Sequence, residues 1–416
     1  MAREAWQLTA SEALQLIRKG EFTIEEYAKS LLARIKARDD TVKAWVYLNE
    51  NLILSNARAL DQVPHEKRGP IHGLPVGVKD VILTKDMPTQ HNSMIFTSNQ
   101  PSTIDAAPVM TLRANGALIF GKLSTTEFAT SKQGNWHQNL TSNAQDPKRT
   151  PGGSSSGSGA AVGDFQIPVA LGTQTGGSVV RPASFNGTYG WKPTWGAISR
   201  EGLAQWSMTL DTCGFFTRDV EDLDLLADVF RIKDDEPIPQ RPFEVKGAKI
   251  AFCKTYNWHK AGAGTIKAWE TAQKILKEHS ANVSTLDLPE DFKPILDWHA
   301  QVLAGEGRSS FLGQYSQARE KVHPDIQGHV ENKTGLSRKK QLQAYDNCAR
   351  LRPIWDELAA PYDVVITPSV VDEAPLGLEN TGDMVSSFAL TLVILASLTY
   401  NFSPSAPCGQ FFIAHR

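Results

Sequence analysis

Apolar residues recur at helical spacing through Leu14, Ile17, Leu31, Leu32 and Ile35, which predicts two amphipathic helices at the start of the chain. Thr9 with Glu12, and Thr23 with Glu26, have capping-box spacing, and Gly20 supplies a stop between the two helices. Short apolar runs then take over. Leu74 to Val78, Ala117 to Phe120 (ending at Gly121), Ile167 to Leu171, Lys249 to Cys253 and Asp363 to Thr367 read as strands. The small-residue run Gly157 to Val162 reads as a tightly packed helix. Ile266, Trp269, Ala272 and Leu276 mark a longer one. Strands alternating with helices predict an α/β sandwich around a mostly buried sheet. The charged, proline-rich stretch Arg231 to Lys246 reads as a surface connection and not as a domain boundary, so residues 1–416 are expected to form a single domain.

The bulk composition fits that picture. The chain has 416 residues, of which 41% are hydrophobic, enough for a sizeable core. Its 43 basic and 45 acidic residues leave a net charge of −2, with no long basic run. Nucleic acid and anionic membrane surfaces are therefore not expected as partners. Four cysteines form no Cys-x-x-Cys pair and no Cys/His cluster with zinc spacing, so a reducing, cytoplasmic setting and no metal are expected. Residues 1–20 are charged and amphipathic, unlike a secretory signal. From Met384 to Ala414 there is no Lys, Arg, Asp or Glu. The apolar part, Phe388 to Leu398, is short beside the ~20 residues a membrane span needs, and a buried helix is expected there instead of a tail anchor.

Two glycine–serine segments carry the candidate chemistry. Gly152-Gly153-Ser154-Ser155-Ser156-Gly157-Ser158-Gly159 comes first, and Thr173-Gln174-Thr175-Gly176-Gly177-Ser178 follows. Upstream, Gly73-Leu74-Pro75-Val76-Gly77-Val78-Lys79-Asp80 ends an apolar run on a lysine. A serine is a poor nucleophile until a base takes its proton. Gly-Gly before a serine lets the backbone approach a substrate and aims consecutive N–H groups at one spot, as an oxyanion hole requires. Taken alone, the second segment is equally a turn feeding a helix, and the first is more often a flexible linker, although linkers do not usually sit between apolar segments of one core. Gly153-Ser154-Ser155-Ser156-Gly157 also matches the nucleophile elbow of α/β-hydrolases. That motif needs an apolar strand directly before it, and Asn143 to Pro151 reads as a loop.

With these residues in view, the chain resembles the amidase signature family. The likeness is dense in Gly73–Asp80, in Gly121-Lys122-Leu123-Ser124 with Glu127-Phe128-Ala129, in Pro151–Gly159 and in Leu171–Thr194. It continues through Leu210-Asp211-Thr212 with Gly214 to Tyr362-Asp363-Val364 and Pro368. The resemblance implies an α/β/α sandwich around a central mixed sheet and amide hydrolysis without a cofactor. It implies a Ser–cis-Ser–Lys triad falling on Ser178 as nucleophile, Ser154 as proton relay and Lys79 as base. Backbone N–H groups of Thr175, Gly176, Gly177 and Ser178 would hold the oxyanion. To act as a base, Lys79 must be held neutral by burial, and Asp80 would oppose this if it pointed inward.

Two features depart from the common family pattern. Gln174 stands where Asp is usual. Arg181 follows Ser178 by three residues, an arrangement similar to the malonamidase branch, where the matching arginine holds a substrate carboxylate. A structural pairing of Arg181 with an acidic residue is the alternative. The expected substrate is a small-molecule amide, with or without a carboxylate. An amidotransferase A-type subunit that needs partner proteins is the alternative function, and a truncated, non-catalytic binding isoform is a third. Homodimer formation stays open. The likeness is expected to hold to about 368–395. Residues 396–416 read as an atypical tail that leaves the C-terminal part of the fold incomplete.

Overall fold

The computed structural model describes residues 3–98, 100–130, 140–232, 243–383, 397–401 and 410–414. Among them, eleven strands form one mixed sheet: β1 (Trp45–Tyr47), β2 (Pro75–Lys79), β3 (Leu118–Leu123), β4 (Val169–Gln174), β5 (Tyr189–Lys192), β6 (Thr212–Thr217), β7 (Lys249–Lys254), β8 (Asn282–Asp287), β9 (Val364–Pro368), β10 (Ser397–Asn401) and β11 (Gln410–Ala414). Their order across the sheet is β1-β3-β2-β4-β6-β5-β10-β11-β9-β7-β8. The helices are α1 (Ala10–Lys19), α2 (Ile24–Val42), α3 (Glu50–Asp61), α4 (Ala107–Ala114), α5 (Ser156–Gly163), α6 (Val180–Asn186), α7 (Val220–Val229), α8 (Ala263–Glu278), α9 (Ile295–Ser310), α10 (Leu312–Ala318), α11 (Pro324–Val330) and α12 (Arg338–Ala359).

The first two helices start where the capping boxes place them. Glu12 N–H donates to Thr9 Oγ1 at 3.2 Å while Thr9 N–H donates to Glu12 Oε2 at 2.8 Å. Thr23 and Glu26 repeat the exchange. Gly20 ends α1 at φ 72°, in the left-handed region that glycine enters without a Cβ penalty.

Strand periodicity then builds two layers over the sheet. In β4, Val169 and Leu171 join a cluster with Val76, Val78, Ile119 and Phe215 beneath α4 and α7. Ala170 between them faces Leu118, Phe120 and Phe216 under α2, α3, α5 and α6. Successive side chains point to opposite faces, so both faces are covered and the strands read as apolar runs. Likewise Ala251, Cys253 and Val365 pack against α9 and α12, while Ile250, Phe252 and Ile366 pack against α8. The small-residue segment at Ser156–Gly163 is a helix buried along its whole length. At Gly157 a Cβ would sit 2.4 Å from Ala44 O and 2.4 Å from Ser124 N, so only glycine allows that contact.

Two strands run well past the ends expected from the sequence, and the other expected strands match to within one residue. β3 runs past Gly121 to Leu123, because Lys122 and Leu123 pair with Val78 and Lys79 of β2. β4 begins at Val169 and continues to Gln174, because Gly172, Thr173 and Gln174 pair with Gly214, Cys213 and Thr212 of β6. The start of the second glycine–serine segment is therefore strand and not loop. Residues 397–401 and 410–414, in the stretch that reads as an atypical tail, supply two strands: β10 pairs antiparallel with β5, and β11 with β9. Of the helix expected over Phe388–Leu398, residues 388–396 lie outside the described residues, while Ser397 and Leu398 belong to β10, where pairing with β5 makes them strand. Residues 233–242 of the expected surface connection also lie outside the described residues. No helix among the described residues is long and apolar enough to cross a membrane.

Candidate active site

Parallel neighbours β2 and β4 end side by side, one on Lys79 and the other on Gln174. Open α/β sheets gather their chemistry at such carboxyl-terminal strand ends. Lys79 is fully buried, and its Nζ donates to Ser154 Oγ at 2.7 Å and to Thr173 Oγ1 at 2.7 Å. Burial drives the ammonium well below the usual lysine range, against the opposing pull of Asp211. Asp80 does not add to that pull, because its carboxylate is committed elsewhere. It lies 3.5 Å from Lys122 Nζ and accepts Gln90 N–H at 3.2 Å. A lysine held neutral and bonded to a serine hydroxyl can take that serine's proton.

The first glycine–serine segment is loop up to Ser155 and helix beyond it. Residues 140–155 contain no strand, whereas the elbow motif requires one directly before the serine. The Gly153–Ser154 peptide bond is cis. Ser155 Oγ donates to Thr173 O at 3.2 Å, and Ser158 Oγ donates to Leu171 O at 2.8 Å, which ties α5 to β4. Thr126 N–H donates to Ser154 O at 3.2 Å.

Ser178 sits between β4 and α6, and Ser155 N–H donates to its carbonyl at 3.4 Å. Ser178 is 8% exposed against 2% for Ser154, so it is the more accessible residue of the two. Among the described residues no hydrogen bond joins the two hydroxyls; such contacts commonly close only around a bound substrate. Gln174 holds the turn from behind. Its Oε1 accepts Val179 N–H at 2.8 Å and Val180 N–H at 3.1 Å. The glutamine that departs from the family pattern thus serves as an uncharged acceptor for the first amides of α6. Thr175 Oγ1 donates to Asp211 Oδ1 at 2.6 Å, which pins the middle of the turn.

Arg181 is 1% exposed. Its Nη2 donates to Gly153 O at 2.6 Å and lies 3.5 Å from Thr381 Oγ1. Nε and Nη1 have no hydrogen-bond partner among the described residues. Burial pushes its pKa down to about 10, and Asp383 opposes this. A further cavity of about 450 Å³ is lined by Phe128, Leu203, Met208, Phe311 and their neighbours, all uncharged. Among the described residues no group of three His, Cys, Asp or Glu side chains could hold a metal ion.

The profile of the family described as Amidase matches residues 26–411. The chain belongs to the amidase signature family. It is an amidohydrolase, acting on the linear carbon–nitrogen bond of amides. It is 30% identical, over an alignment of 446 positions, to the A-type subunit of a glutamyl-tRNA(Gln) amidotransferase of Streptomyces avermitilis, with 97% of this chain and 88% of the relative covered. Among solved structures, one described as an amidase is 27% identical with a TM-score of 0.86, covering 98% of this chain and 96% of the other. The corresponding A-type subunit of the Thermotoga maritima glutamyl-tRNA(Gln) amidotransferase is also 27% identical, with a TM-score of 0.78 over 100% of this chain and 92% of its own.

Of the residues singled out in the sequence, the amidase fold brings Lys79, Ser154, Thr175, Gly176, Gly177, Ser178 and Arg181 to one end of β2 and β4. Thr173, the second acceptor for Lys79 Nζ, is not among them. It opens the second glycine–serine segment, and that place, with no role attached, is the only sequence signal for it. Asp211 is visible in the sequence only as part of a family motif, without a role.

Proposed function

We propose that this amidase releases ammonia from a small amide that carries a carboxylate, and that glutamine is the chemistry it fits best. Arg181 carries the reading. A buried guanidinium whose Nε and Nη1 have no partner among the described residues, and whose Nη2 is hydrogen-bonded to the residue before Ser154, retains donors for a substrate carboxylate. Glutamine presents an amide and a carboxylate in one small molecule. The relatives named as amidotransferase subunits support that choice, and on this reading the ammonia passes to partner subunits.

The chemistry follows from the site. Ser178 Oγ attacks the amide carbonyl, and its proton moves to Ser154 while Ser154 gives its own to Lys79. Backbone N–H groups of Thr175 to Ser178 hold the oxyanion. As the carbon–nitrogen bond breaks, the proton returns through Ser154 to the leaving nitrogen, and ammonia departs. Water then attacks the acyl-Ser178 ester by the same relay, which frees the carboxylic acid and restores the serine. Three buried cysteines, Cys213, Cys253 and Cys348, are free thiols, which supports a cytoplasmic setting.

The test is ammonia release by the purified chain from L-glutamine and from a neutral primary amide, in wild type and Arg181→Met. The expected outcome is a higher KM for glutamine alone; an equal loss on both amides refutes the carboxylate role. A second reading, a stand-alone amidase for bulkier amides, is favoured by the uncharged cavity at Phe128, Met208 and Phe311. Faster cleavage of anilides than of glutamine would select it.

A further inference from the structure

A chain of hydrogen bonds leads from the turn before Ser178 to the far helices. Thr175 Oγ1 donates to Asp211 Oδ1. The other oxygen, Asp211 Oδ2, accepts Trp206 N–H at 2.7 Å and Ser207 N–H at 3.0 Å. Ser207 Oγ donates in turn to Glu306 on α9. Glu306 also accepts Thr209 Oγ1 at 3.0 Å and Tyr345 OH at 2.9 Å, and Gln341 Nε2 donates to the same tyrosine oxygen at 2.8 Å. Asp211 and Glu306 are 7% and 8% exposed. Each carboxylate therefore has both of its oxygens filled by donors, Asp211 from Thr175 and its own turn, Glu306 from that turn and α12.

Buried carboxylates cost desolvation unless every lone pair is used. Here the two are spent on holding a turn of the backbone, Trp206 to Asp211, and through it one hydroxyl, that of Thr175. Thr175 opens the run of N–H groups that faces the substrate oxygen in the reading above. Val180, two residues past Ser178, packs in the same cluster as Trp206, Leu210 and Phe311. The turn is thus anchored by packing as well as by hydrogen bonds.

We propose that Asp211 and Glu306 are positioning residues for the oxyanion loop. Asp211 sets the loop through Thr175, and Glu306 sets Asp211 from the α9–α12 layer. This inference rests on Ser178 being the nucleophile. It predicts that breaking the chain slows attack more than it weakens the encounter with the reagent, because the loop acts on the bond-forming step and Arg181 is untouched.

A fluorophosphonate probe tests this without a known substrate. Ser178 Oγ bonds to phosphorus, fluoride leaves, the proton passes to Lys79 through Ser154, and the phosphoryl oxygen occupies the oxyanion site. Loss of one oxyanion donor typically costs ~100- to 1000-fold. Misplacing the loop should cost part of that, about 10- to 100-fold in kinact, with KI within about threefold. Thr175→Val and Asp211→Asn should both show this, and Glu306→Gln a smaller loss of the same kind. Thr175→Ser keeps the hydroxyl and should restore the wild-type rate. A folded Thr175→Val protein that labels within about twofold of wild type overturns the proposal. So does Thr175→Ser labelling as slowly as Thr175→Val, since packing and not the hydroxyl would then matter. If Asp211→Asn fails to fold, the two Thr175 variants decide. Labelling that survives Ser178→Ala refutes the nucleophile reading itself, a result separate from these.

Discussion

Replacing Gln174 by leucine keeps the volume of the side chain and removes its acceptor. Gln174 Oε1 takes both Val179 N–H and Val180 N–H, and both residues are fully buried. Leucine offers neither amide a partner, and water has no access to replace it. A buried donor left unsatisfied costs about 1–3 kcal/mol, so two cost about 2–6 kcal/mol. Against a total stability of about 5–15 kcal/mol this is a large fraction. With a urea slope of about 3 kcal/mol/M, the unfolding midpoint should fall by about 1–2 M. Tryptophan fluorescence can follow the transition, since the chain has 10 tryptophans. Activity should also fall, because the same two amides fix the start of α6 immediately after Ser178. Gln174→Glu retains an oxygen at that place and should keep most of the stability. If Gln174→Leu unfolds at the wild-type midpoint and hydrolyses amides at the wild-type rate, the argument that this side chain organises the turn is refuted.

Lys79→Met should lower kcat/KM by about 100- to 10,000-fold, the range for a lost general base. In the wild type the base works only when neutral, and burial lowers its pKa. Activity should therefore rise with pH through that lowered pKa and fall as the lysine regains its proton, a limb absent from the residual rate of Lys79→Met. Lys122→Met leaves the buried Asp80 carboxylate without its cation, at a cost of about 3–5 kcal/mol in urea unfolding; adding Asp80→Asn should recover part of it. Gly157→Ala forces a Cβ against backbone atoms on two sides, and overpacking of that kind costs about 1–3 kcal/mol or more. An unchanged unfolding midpoint would show that α5 can shift.

Local features are the legible ones. The capping boxes at Thr9 and Thr23 and the glycine stop at Gly20 act within a few residues, and the helices start and stop there. Apolar runs locate β2, β3, β4, β7 and β9 because these strands are covered on both faces. β8 leaves no such trace, because it is an edge strand with mainly exposed positions and lacks an apolar run. The Lys79–Ser154 contact joins residues 75 positions apart. It is legible only because both lie in family motifs. Thr173 is hidden because the pairing of β4 with β6, and not its own sequence, extends the strand to Gln174. Glu306 carries no local mark, since its partners Ser207, Thr209 and Tyr345 lie in distant segments.

The hairpin of β10 and β11 has a consequence for the order of assembly. Lys79, Ser154 and Ser178 all belong to the block β1 to β6, whose strands pair among themselves. β7, β8 and β9 form a second block with its own pairing. Among the described residues the blocks touch within the sheet only through β5–β10 and β11–β9, and β10 and β11 follow the other described strands in the chain. On a ribosome that adds residues from the N-terminus onward, the catalytic block emerges first, with β5 as a bare edge. The second block follows with β9 bare. Closure of the sheet therefore waits for β10 and β11, and until it happens each nascent half offers an open strand to any neighbouring chain.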